Sequence, residues 1–188
     1  MGLLDIFGKR TVEAYSPSVL ICYLGDSFEE SAHLDAETYK QHLPDVSVLR
    51  LVEVKDLLEA VQRGYDIVHL FTLVGPDGTI AGSATTGTEL IEKCTIWETK
   101  LLIIASENNP DGYIKDFKTN GQLINLVLTI DRRGEKFRTF VGDLLREMRG
   151  GMSMPLAWVK VAPQIPGQDH PDAPSTIFFA GLGQTRFI

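Results

Sequence analysis

The feature that most restricts the fold is a series of short, unbroken apolar runs, each bounded by turn signals. Val19-Leu20-Ile21-Cys22-Tyr23-Leu24 stops at Gly25. Ile67-Val68-His69-Leu70-Phe71 follows Asp66, Leu101-Leu102-Ile103-Ile104-Ala105 stops at Ser106, and the run from Leu123 to Ile130 stops at Asp131. A strand with one wet face alternates apolar and polar residues. A strand covered on both faces reads as a continuous apolar run, and that is the habit of parallel sheets. Helical patterns lie between the runs. Phe28, Ala32, Ala36, Tyr39 and Leu43 recur at three- and four-residue steps, Ser27 and Glu30 have capping-box spacing, and Pro44 ends the pattern.

Further elements follow the same alternation. Val46 to Val54 reads as a strand, and Leu57, Leu58 and Val61 as a short helix closed by Gly64. Thr72 to Thr86 is a loop, Glu89 to Cys94 a short helix, and Tyr113 to Lys118 another. Phe137 to Met148 is the clearest amphipathic helix, and Ser153 can cap a further one through Trp158. Thr176 to Ala180 is the last predicted strand. The expected fold is therefore α/β, with a mostly parallel central sheet of about six strands and helices on both faces.

A chain of 188 residues makes one domain. Residues 1–16 read as an N-terminal leader with a frayed start, and 17–188 as the domain. No run approaches the roughly 20 apolar residues of a membrane span. Lys plus Arg is 18 against 25 Asp plus Glu, a net charge of −7, which argues against nucleic-acid binding. The two cysteines, Cys22 and Cys94, stand alone in apolar segments. They form neither a zinc pattern nor a disulfide framework and suit a cytoplasmic setting.

In α/β folds, function sits past the carboxyl ends of the strands. Here those ends are Gly25-Asp26-Ser27, Thr72-Leu73-Val74-Gly75, Ser106-Glu107-Asn108-Asn109 and Asp131-Arg132-Arg133. None carries a dinucleotide fingerprint or a phosphate-binding P-loop, so no cofactor is implied. His33 and Glu37 are one helical turn apart near Glu30, but they lie opposite the apolar stripe and read as a solvated face, so no metal site is expected. His42 and His170 read as solvated, and His69, inside a buried strand, as a hydrogen-bonded core residue. Ser106 stands where α/β enzymes place nucleophiles, yet it lacks the Gly-x-Ser-x-Gly elbow and needs a base.

In order and spacing, several of these segments resemble the CHAT family of caspase-like cysteine peptidases. Tyr65-Asp66-Ile67-Val68-His69-Leu70 is similar to the strand leading to that family's catalytic histidine, and Leu101-Leu102-Ile103-Ile104-Ala105-Ser106-Glu107 to the strand leading to its cysteine. Val127 to Asp131, the helix Phe137 to Met148, Gly150-Gly151, Leu156-Ala157-Trp158 and Pro174 to Gly181 match later parts. The resemblance implies a three-layer caspase-like sandwich. It also places the catalytic histidine on Leu73, or on Val74 if the loop is one residue longer, and the nucleophile on Ser106. Leucine and serine cannot run a thiolate–imidazole attack.

The expectation is thus a catalytically inactive domain that acts in protein interaction or regulation. The resemblance implies bacterial signalling or defence as its setting. A protein or peptide partner would meet Asp26, Ser27, Thr72, Ser106, Glu107, Asn108, Asp131 and Arg132, with its backbone added as a strand. The alternatives are a hydrolase using Ser106, with His170 or a partner as base, and a small-ligand or nucleotide-binding α/β domain. Self-association through the apolar C-terminal edge strand is a further expectation, and Phe187 and Ile188 add apolar bulk at that end.

Overall fold

The computed structural model describes residues 10–106, 125–129, 136–161, 176–179 and 183–188. Along the chain run β1 (Arg10–Ala14), β2 (Ser18–Leu24), α1 (Glu29–Lys40), β3 (Asp45–Leu51), α2 (Val54–Val61), β4 (Ile67–Phe71), α3 (Gly87–Ile96), β5 (Leu101–Ala105), β6 (Asn125–Thr129), α4 (Lys136–Arg149), α5 (Met154–Val161), β7 (Thr176–Phe179) and β8 (Gly183–Phe187). The predicted helix at Tyr113 to Lys118 lies outside the described residues.

Six strands form the central sheet in the order β3-β2-β4-β5-β6-β7. The first five are parallel, and β7 runs antiparallel to β6. The unbroken apolar runs became β2, β4, β5 and β6, and every residue of β4 and β5 is buried. Alternate residues face opposite ways. Ile21, Tyr23, Ile67, Phe71 and Ile103 join one core with α1, α4 and α5. Leu20, Cys22, Val68, Leu70 and Ile104 join a second core with α2 and α3. The molecule is therefore three layers thick, as expected.

The apolar stripes hold, and the predicted serine caps do not. The stripe predicted for α1 is the face it buries, with Ala32, Ala36 and Tyr39 at 0% exposure. The Ser27–Glu30 capping box does not form. A 3-10 turn (Asp26–Phe28) precedes α1, and its N-cap, Phe28, makes no side-chain bond. The capping box belongs instead to Glu53 and Asp56 at the start of α2. Ser153 does not cap α5 either, since its Oγ has no hydrogen-bond partner. At the amino ends of the strands, Asp66 gathers three of them. Its carboxylate accepts from Ser18 N at 3.0 Å, from Ser18 Oγ at 3.3 Å and from Lys100 Nζ at 2.6 Å.

One element departs from the sequence reading. Within the expected leader, Arg10–Ala14 is a strand, paired in parallel with β8 in a separate two-stranded sheet. Phe187, at the end of β8, is buried in the α1/α4 core. Ile188 is exposed.

Candidate functional site

The order of the strands fixes one special place. From β2 the chain crosses to β3 on one side, then returns past β2 to β4 on the other. The connections leave β2 and β4 in opposite directions, so a crevice opens between their carboxyl ends.

Leu24 closes β2, and Gly25 turns the chain with φ 107°, a conformation that favours glycine. Beyond β4, Thr72 is fully buried, and its N–H donates to Ala105 O at 3.1 Å, tying the ends of β4 and β5 together. Leu73 follows and is 54% exposed, while Val74 turns back inside. The next residues fold into a small hairpin. Val74 bridges to Ile80, Gly75 N–H donates to Thr79 O at 2.8 Å, and Gly78 has φ 80°. Asp77 accepts from Thr79 N at 3.2 Å and Thr79 Oγ1 at 2.7 Å, bonds that hold its carboxyl below the usual range. A Cβ at Gly75 would lie 2.7 Å from both Asp77 Oδ1 and Thr79 Oγ1, so those side chains would have to give up their present bond or shift.

This hairpin and the strand ends form an open pocket of about 450 Å³ lined, among the described residues, by Leu24, Leu73, Val74, Gly75, Pro76, Ala81 and Gly82. No ionisable side chain is among them. Ala81 N–H donates to Leu73 O at 2.8 Å and holds φ 50°, a strained value for a residue with a Cβ. The site can shield an apolar group from water in part, and none of its described lining residues can transfer a proton.

The polar residues predicted for this end separate into three groups. Asp26 and Ser27 are exposed beyond β2, and Asp26 is paired with Arg50 at 2.6 Å. Thr72 and Ser106 are fully buried. Glu107, Asn108, Asp131 and Arg132 lie outside the described residues, as does His170. Among the described residues no group of three or more His, Cys, Asp or Glu could hold a metal, and His33 and Glu37 are exposed on α1.

The other reactive groups are committed to the core. His69 is fully buried, with Nδ1 3.4 Å from Tyr39 Oη, Nε2 3.8 Å from Asp35 Oδ2, and its ring stacked on Phe71. Burial raises the Cys22 thiol far above its ordinary value and pushes Cys94 up to about 12. Neither is a thiolate near neutral pH. Asp35 was not singled out by the sequence reading, nor was the pocket. The turn signature Gly75-Pro76-Asp77-Gly78 was its only local trace.

No protein-family model and no curated protein matches this sequence. A solved structure does. The crystal structure of drICE, a caspase, matches with a TM-score of 0.58, covering 96% of this chain and 93% of that one. The fold is caspase-like. Sequence identity is 12%, so the likeness establishes the arrangement of strands and helices and nothing about chemistry. Within this caspase-like fold the apolar pocket sits at the carboxyl ends of the parallel strands, where the topology opens its crevice.

Proposed function

We propose that this chain is a caspase-like domain without peptidase activity, a degenerate relative of CHAT domains, that binds a protein segment through the pocket between β2 and β4. The single observation that carries this reading is Leu73. The family resemblance assigns the place of the catalytic histidine to Leu73, or to Val74 if the loop is one residue longer, and Leu73 is half-exposed at a pocket with no titratable group among its described lining residues. A buried Ser106 supports the same reading, because a nucleophile must reach its substrate. The pocket suits the apolar side chain of a partner segment whose backbone lies along the strand ends. A nucleotide phosphate would find no charged side chain among the described lining residues, so the small-ligand alternative draws no support from them.

Two measurements test the two halves of the proposal. The purified chain is incubated with fluorogenic peptides cleaved after acidic, basic or apolar residues. The expected result is hydrolysis at the blank rate for both wild type and Ser106→Ala. Turnover by wild type that Ser106→Ala abolishes overturns the inactive assignment. For binding, a photo-crosslinking residue replaces Leu73 in cells, with the same residue at exposed Glu59 on α2 as the control. A discrete adduct from position 73 alone is expected. Adducts at neither position, or equally at both, refute the pocket as the contact.

A further inference from the structure

We draw no further inference here: the strongest candidate, the open cavity of about 560 Å³ near the amino ends of β2 and β3 lined in part by Pro17, Lys40, Leu43, Arg149 and Phe187, carries none because Lys40 is paired with Glu37, Pro17, Leu43 and Phe187 are already buried, and nothing in the structure shows what covers it.

Discussion

Asp35 is an acid held out of water. It sits on the buried face of α1 with 1% of its surface exposed, facing His69 Nε2 at 3.8 Å. Removing a carboxylate from water costs several kcal/mol unless a partner answers it. His69 and Tyr39 supply the polar surroundings, and the three together fix α1 against β4. His69→Leu should therefore destabilise the fold by about 3–5 kcal/mol in urea unfolding, since Asp35 stays buried. Adding Asp35→Leu should restore much of that loss, because two apolar groups replace the whole pair. A double variant no more stable than the single one would mean that packing of the imidazole, not the pairing, holds the helix. Half of this cluster was legible. A histidine inside a buried strand announces a core hydrogen bond. Asp35 was legible in principle, for it falls between Ala32 and Tyr39 at helical spacing, on the stripe that α1 buries. An acid on such a stripe forecasts a buried partner.

Among the elements, the hairpin after β4 determines the pocket, and it carries both strain and a steric requirement. Ala81 holds φ 50° while its N–H is bonded to Leu73 O, so a Cβ occupies a conformation that costs about 1 kcal/mol. Ala81→Gly should raise thermal stability by up to about 1 kcal/mol, offset in part by the freer unfolded chain. Gly75→Ala should do the reverse, because its Cβ would push Asp77 and Thr79 apart and open the turn. Equal melting temperatures for wild type and both variants would show that the hairpin moves freely and does not shape the pocket. The turn itself was readable from Gly75-Pro76-Asp77-Gly78. That it closes a pocket was not, because the pocket depends on Leu24 of β2, brought alongside by the strand order. The same reason hid β1 and β8. Each is five residues long, β8 is mostly polar, and their partners lie at opposite ends of the chain. Local pattern reports burial on a covered sheet well and reports long-range pairing of short, polar strands poorly.

For the whole molecule, the decisive asymmetry is between the two edges of the central sheet. An edge strand presents unpaired backbone groups, and soluble proteins guard such edges with charge or cover. One edge is β3, which carries exposed Asp45 and Arg50, the latter tied to Asp26. Among the described strands the other is β7, whose sequence Thr176-Ile177-Phe178-Phe179 contains no charge at all. β8, at the C-terminus, pairs with β1 and so is already occupied on one side. Self-association, if driven by strand pairing, therefore belongs to β7. Two copies joined there would extend the sheet through both molecules and leave the pocket ends free. The expected observation is a mass that rises from monomer toward dimer with concentration in multi-angle light scattering. Ile177→Lys places a charge on the edge and should hold the chain monomeric at the same concentrations. A matching charge at Ser47 on β3 should leave the dimer intact, with far-UV circular dichroism confirming that both variants fold. A monomer at all concentrations would mean that this edge is guarded within the chain, and loss of the dimer by the β3 variant alone would move the interface to the charged edge.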